Sequence, residues 1–340
     1  MGVDLGTSNT LVYVRGRGIV MNEPSVVAVN TKNDKIIAIG ADAKRMVGKT
    51  PGHILAIRPL VKGVVSDFEA TEKMLQYFIE KVHRERSLWF AKPMVVIGIP
   101  LDTTEVERKA VEDAAISAGA HTVYLVEEVV AAAIGARLPV GESTGSMVVD
   151  IGGGTTEIAV VSLHGIVSSK SLQTAGMEFD RAIINYVREE FGMLIGEHTA
   201  EELKINLGSA FPVDLPLQEM KIRGRDLITG LPKEVTVTEE QTREALKRPL
   251  HTIIEHMKVV LENTPPELVS DVAQRAIVLT GGGALIPGLD RAIENVLGIP
   301  VKVADDPLTC VVRGTGTILE DINLLKEVVM PSTREEMVTP

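Results

Sequence analysis

Residues 147–161 read Met-Val-Val-Asp-Ile-Gly-Gly-Gly-Thr-Thr-Glu-Ile-Ala-Val-Val. An apolar run leads into Asp150, three glycines follow, then two hydroxyl side chains and a second β-branched run. That order predicts strand, tight turn, strand. Glycines without Cβ let backbone amides close on a ligand, and successive amides in such a turn form an anion-binding nest. Thr155 and Thr156 add hydroxyl donors, and Asp150 at the strand end is placed to hold a hydrated divalent cation. Taken alone, the stretch also fits an ordinary glycine-rich hairpin.

The pattern occurs twice. Val3-Asp4-Leu5-Gly6-Thr7-Ser8-Asn9-Thr10-Leu11-Val12-Tyr13-Val14 repeats the apolar lead, the aspartate, the glycine turn, the hydroxyls and the apolar exit. Downstream, Gly18-Ile19-Val20 matches Gly165-Ile166-Val167. Such a duplication predicts two domains of similar build facing each other. Two phosphate turns, each with a carboxylate, then grip one polyphosphate and its metal from opposite sides.

The 340 residues suffice for about two domains with real cores. A net charge of −11 argues against broad nucleic-acid binding, and restricts contact with anionic lipid to local patches. The single cysteine, Cys310, excludes an internal disulfide and fits a reducing cytosol. No apolar run is long enough to span a bilayer. The chain begins almost within its first strand, so a short preceding extension is expected.

Along the chain, strands are expected at 25–30, 35–39, 94–99, 123–126 and 276–279. Helices are expected at 41–47, 69–86, 129–137, 178–191, 199–206 and 242–263. Thr104 and Glu107 form a capping box that opens another helix running to about residue 118. The long helix should stop at Pro265-Pro266, and Thr280-Gly281-Gly282-Gly283 is a third glycine turn. Gly48-Lys49-Thr50 looks like the end of a Walker A loop, but that motif needs glycine at position 43, which is Ala43. Strands alternating with helices around a duplicated core make the chain α/β.

Gly2 to Thr10, Asp150 to Thr156 and Gly281 to Ala284 resemble the two phosphate loops and the adenosine loop of the actin/Hsp70/sugar-kinase ATPase superfamily. Asn22-Glu23-Pro24-Ser25, Gly48-Lys49-Thr50-Pro51 and Thr264-Pro265-Pro266-Glu267-Leu268 narrow the resemblance to the MreB family of bacterial actin homologues, over residues 2–326. The resemblance implies an actin-like fold of two pseudo-duplicated RNase H-like domains, each with a smaller subdomain, around a nucleotide cleft. It implies one large subdomain at 1–30, 64–142 and 318–340, with a small one at 31–63. The second large subdomain takes 143–180 and 250–317, and its small one takes 181–249.

The family's roles carry over to matching positions. Thr7, Ser8 and Asn9 contact phosphate from one side; Gly152, Gly153, Gly154 and Thr155 do so from the other. Asp4 and Asp150 hold Mg²⁺ through water, and with Glu128, which orients the attacking water, make the catalytic set. Glu201 and Lys204 reach the nucleoside, and Gly281, Gly282, Gly283 and Ala284 line the adenine pocket. In one departure, Val129 stands where the family has proline after that glutamate. The resemblance implies an ATP- and Mg²⁺-binding protein with slow hydrolysis, which assembles head to tail into paired filaments. Val106, on the exposed side of its helix, is offered for the pairing contact.

Ser87-Leu88-Trp89-Phe90 holds the single tryptophan, between a helix and a strand, with Lys81, Arg84, Arg86 and Lys92 nearby. Three large apolar residues in a loop are either tucked onto the domain or displayed; displayed beside cations, they suit a membrane interface. The family's corresponding loop inserts into membrane. The resemblance thus implies a cytoplasmic protein held peripherally at the inner face of the plasma membrane, with membrane morphogenetic and cell-wall synthesis proteins as partners. The alternatives on the same scaffold are a sugar- or acetate-type kinase, an Hsp70-like ATPase domain, and an adaptor without hydrolysis.

Overall fold

The computed structural model describes residues 1–84, 92–212 and 218–330. The quoted repeats become two copies of one sheet. In the first, β1 (Gly2–Leu5) pairs antiparallel with β2 (Asn9–Val14), which pairs antiparallel with β3 (Gly18–Pro24). A three-stranded sheet follows, of β4 (Val27–Asn30), β5 (Lys35–Ile39) and β6 (Ile54–Ile57), carrying the short helix α1 (Ala41–Lys44). The hairpin of β7 (Leu60–Val61) and β8 (Val64–Val65) leads to α2 (Phe68–Arg84). Then come β9 (Met94–Ile99), α3 (Glu105–Ser117), β10 (Thr122–Glu127) and α4 (Glu128–Gly135). β9 and β10 add in parallel, giving the order β10-β9-β1-β2-β3.

The second half repeats that order. β11 (Ser146–Ile151), β12 (Thr156–Ser162) and β13 (Gly165–Leu172) form the antiparallel meander, followed by α5 (Gly176–Phe191). A second small sheet holds β14 (Met193–Leu194), β15 (Glu219–Asp226) and β16 (Pro232–Thr238), with α6 (Glu197–Leu207) inserted. After α7 (Glu239–Glu262) and α8 (Pro266–Arg275), β17 (Ile277–Thr280), α9 (Leu289–Leu297) and β18 (Val301–Val303) complete the sheet. Its order is β18-β17-β11-β12-β13, with strand directions matching the first. α10 (Cys310–Glu320) and α11 (Ile322–Val328) close the fold.

Burial follows the periodicities. All six residues of β11 are buried, as in a strand covered on both faces. Met74, Leu75, Phe78, Ile79 and Val82 give α2 its buried stripe. The capping box at α3 is formed: Thr104 N–H donates to Glu107 Oε2 at 2.9 Å, and Glu107 N–H donates to Thr104 Oγ1 at 3.3 Å. Thr238 and Gln241 make a second box at α7. At Pro265-Pro266 one helix ends and another begins, because proline suits a first helical turn, where its missing N–H costs nothing. That eighth helix was not anticipated, nor were β6, the β7–β8 hairpin, β14 and β18, which are too short for a clear pattern.

The helices cross the expected boundaries. α5, α7 and α10 run unbroken through 180/181, 249/250 and 317/318. β4, just before the expected boundary at 30/31, pairs within the small sheet.

α4 and α10 occupy equivalent places, each following the last strand of its sheet, and they pack against each other. A Cβ on Gly135 would fall 1.8 Å from the Cys310 carbonyl oxygen; one on Gly314 would fall 1.8 Å from that of Ala131. Backbone meets backbone, so no side chain can give way. Gly314→Ala is expected to destabilise the protein by about 3 kcal/mol or more, read as a large drop in melting temperature. A wild-type melting temperature would contradict this crossing.

Candidate functional site

The two meanders put their glycine turns opposite each other, on a cavity of about 500 Å³. The first turn is braced from behind: Ser25 Oγ donates to the Gly6 carbonyl at 2.6 Å, and Ser25 N–H to the Ser8 carbonyl at 3.0 Å. The second is held by α5, whose first amides, Gly176 and Met177, donate to the carbonyls of Gly152 and Gly153 at 3.1 and 2.8 Å. The turns interlock. A Cβ on Gly153 would lie 2.0 Å from Ser8 Oγ, and one on Gly154 2.5 Å from Thr7 Oγ1. Thr7, Ser8, Asn9, Gly152, Gly153, Gly154 and Thr155 all line the cavity, as the repeat predicts.

Asp4 and Asp150 also face it, from equivalent strand positions. Asp4 lies beside Leu11 in β2 and Gly98 in β9; Asp150 lies beside Glu157 in β12 and Thr280 in β17. The copies have diverged at these neighbours. Thr280 Oγ1 donates to Asp150 Oδ1 at 2.7 Å. At the equivalent place Gly98 has no side chain, and that space is taken by Glu128, whose Cγ would stand 3.1 Å from a Cβ there. Glu128 opens α4 directly, with Val129 fully buried behind it, so the missing proline leaves the helix start regular.

Electrostatically the site is a well of buried acid. Burial, and then the charge of Asp150, push Asp4 up to about 8. Burial pushes Asp150 up to about 6, against the Thr280 hydroxyl. Glu128 is raised well above the ordinary carboxylate range by burial and by the nearby charges of Asp4, Glu157 and Asp150. Glu157 was not singled out from the sequence, although an acid inside the apolar β12 was the available signal. Fully buried, it accepts from Ser171 Oγ at 2.6 Å and from Leu101 N–H at 3.2 Å, tying one half to the other.

This donor set fits a hydrated cation. Among the described residues no cluster of three or more His, Cys, Asp or Glu could hold a metal alone. The half-buried Asp4 and the buried Asp150, beside the two glycine turns, suit Mg²⁺, which keeps waters and shares phosphate oxygens. The raised values also predict a pH slope. Between the ordinary aspartate value and the folded-state values, the nucleotide-free fold holds protons that the unfolded chain has released, so stability falls as pH rises. The nucleotide-free melting temperature should drop from about pH 5 to about pH 8, and Mg²⁺ with nucleotide should flatten the slope. A flat profile without ligand would contradict this.

The third glycine turn forms the remaining wall. Gly281 has φ +77°, and a Cβ on it would meet the Ile151 carbonyl oxygen at 2.4 Å, so only glycine fits. Gly281, Gly282 and Gly283 face the cavity with Leu285, Ile286 and Leu308, while Ala284 is buried in the second half's core behind them. Glu201 and Lys204 are at the wall but already engaged. Lys44 Nζ reaches Glu201 at 3.0 Å across the cleft mouth, and Lys204 Nζ contacts Asp180 at 2.7 Å and the Gly176 carbonyl at 3.1 Å. Asn22 and Lys44, not anticipated, line the cavity too.

Elsewhere, Gly48 and Lys49 lie off the cavity, as expected of a false Walker motif. Val106 is 79% exposed in the first turn of α3. Leu88, Trp89 and Phe90 lie outside the described residues; of their expected basic neighbours, Lys81 is paired with Glu23 at 2.7 Å. Among the described residues no helix is long and apolar enough to cross a membrane.

Two like-ordered five-stranded sheets, each with a small appended sheet, closing on one cleft through paired glycine turns, define an actin-like fold. Residues 1–327 match the MreB/Mbl protein family, and the chain belongs to it. It is 53% identical over 328 residues to the cell shape-determining protein MreB of Escherichia coli K12, covering 95% of this chain and 94% of that one. It is 49% identical over 325 residues to the cell shape-determining protein Mbl of Bacillus subtilis 168, covering 96% and 97%. Among solved structures, MreB5 of Spiroplasma citri bound to ADP superposes with a TM-score of 0.91 at 39% identity, over 96% of this chain and 97% of that one.

Proposed function

We propose that this chain is an ATP-binding, filament-forming cytoskeletal protein that organises cell-wall synthesis and rod shape at the inner face of the plasma membrane, with slow ATP hydrolysis. The observation that carries the reading is the pair of interlocked glycine turns, each followed from its own aspartate, on one cavity. Support comes from the relatives named for determining cell shape, and from the S. citri structures bound to ADP and to AMPPNP.

In this reading Thr7, Ser8, Asn9 and the Gly152–Gly154 amides hold the phosphates, with Thr155 beside them. Asp4 and Asp150 hold Mg²⁺ through water, and the bound ion supplies charge neutralisation. Glu128 accepts a hydrogen bond from the attacking water and aims it; phosphoryl transfer asks mainly for such positioning. Glu201 and Lys204 approach the nucleoside, and the turn at 281–283 with Leu285 and Leu308 takes the base. The small sheets at β4–β6 and β14–β16 act as the two small subdomains over the cleft.

Self-assembly follows a head-to-tail contact, which continues as a filament when its rotation does not close. The exposed Val106 suits a second contact between filaments. Leu88, Trp89 and Phe90 make the lipid contact. Burying one large apolar side chain yields only about 1.5–3 kcal/mol, so a monomer holds weakly and a filament firmly, through many linked loops. Leu88→Ala with Trp89→Ala should keep ATP binding and weaken pelleting with anionic liposomes. Wild-type pelleting would refute the lipid contact.

A further inference from the structure

The turn between β7 and β8 stands where the two phosphate turns meet. Lys62 and Gly63 are both left-handed, with φ of +54° and +79°. Gly63 N–H donates to Thr7 Oγ1 at 2.9 Å, reaching the first phosphate turn. A Cβ on Gly63 would lie 2.4 Å from Pro100 Cγ and 3.3 Å from Thr155 Cγ2, so the turn also presses on the second. From this point Lys62 Nζ donates to Gln173 Oε1 in the second half at 2.5 Å. Gln173 directly precedes Thr174, whose carbonyl accepts from Thr156 Oγ1 at 2.7 Å. A cavity of about 580 Å³ lies beside this bridge, bounded by Lys62, Gln173 and Ser171; Thr155 lines both it and the nucleotide cleft.

A non-glycine residue held in the left-handed region is a sign of a constrained position. Here the constraint aims the Lys62 side chain across the gap between the halves. We infer that Lys62 is a positioning residue: its hydrogen bond to Gln173 clasps the phosphate ends of the two halves and sets the register between first-half and second-half groups. This rests on the ATPase reading above.

Binding and turnover depend on different walls. The base-side wall, at 281–283, Leu285 and Leu308, belongs to the second half and does not need the clasp. Turnover needs Thr7 and Glu128 from the first half aligned with Asp150 and Thr155 from the second. The bond is solvent-exposed, so its loss costs little stability. The pairs Lys44–Glu201 and Arg58–Glu197 also bridge the halves, through side chains that are not bonded to either glycine turn.

The test uses the full chain, with single-turnover ATP hydrolysis, ADP affinity and melting temperature measured together. Lys62→Asn shortens the side chain yet tolerates the left-handed backbone; Gln173→Ala removes the acceptor. Each should slow hydrolysis about fivefold with ADP affinity and melting temperature unchanged. The swapped pair, Lys62→Gln with Gln173→Lys, should recover most of the rate. Single variants at the wild-type rate, or a swapped pair no faster than the singles, would overturn the clasp while leaving the ATPase reading standing. A wild-type chain that binds ADP but never hydrolyses ATP would overturn both, and is recognised from the wild type alone.

Discussion

Glu128→Gln is expected to lower ATP turnover by about a hundredfold or more, while Mg²⁺-ATP affinity stays close to wild type. Glutamine keeps the size and one acceptor oxygen, so α4 and the space beside Gly98 are preserved. What is lost is the carboxylate that, in the proposed reading, aims water at the terminal phosphate. Glu128 makes no contribution to the base-side wall, so binding and turnover should separate. The check is a phosphate-release assay beside a fluorescent-nucleotide titration. Full turnover in the variant would move the water-orienting role elsewhere, with Glu157 the first candidate.

Asp4→Asn is expected to act in opposite directions on function and stability. Burial and Asp150 raise Asp4 to about 8, so the nucleotide-free fold carries a carboxyl that resists ionising. Asparagine removes that unfavourable charge, and the nucleotide-free protein should melt higher, most clearly near pH 8. The same change removes one of two water-mediated holds on Mg²⁺, a loss worth about 10–100-fold in metal affinity. Nucleotide titrations with Mg²⁺ and with EDTA read the two effects apart. A variant that binds Mg²⁺-ATP as tightly as the wild type would show that Asp150 alone suffices.

The repeat at Asp4 and Asp150 was enough to read two domains of similar build, because strand, glycine turn and strand are local patterns; the actin-like arrangement followed from the family resemblance. The repeat also marked both glycine turns that line the cavity, since an anion nest needs glycine and hydroxyls at short spacing. Three things were hidden by non-local causes. Glu157 pairs locally with Asp150, but its bond to Leu101 comes from the other half, 56 residues away in sequence. The role of Gly98, making room for Glu128, appears only when β9 is laid beside β1. The glycines of α4 and α10 reveal their close crossing only once both halves are assembled. Glu201 and Lys204 line the cavity, but their partners Lys44 and Asp180 come from elsewhere in the chain.

The proposed function joins ATP binding in the cleft to filament assembly. Sedimentation with negative-stain electron microscopy, with Mg²⁺-ATP and without nucleotide, tests it most directly. Pelleted filaments are expected with Mg²⁺-ATP and few without. A protein that binds ATP tightly yet stays monomeric at every concentration would contradict it.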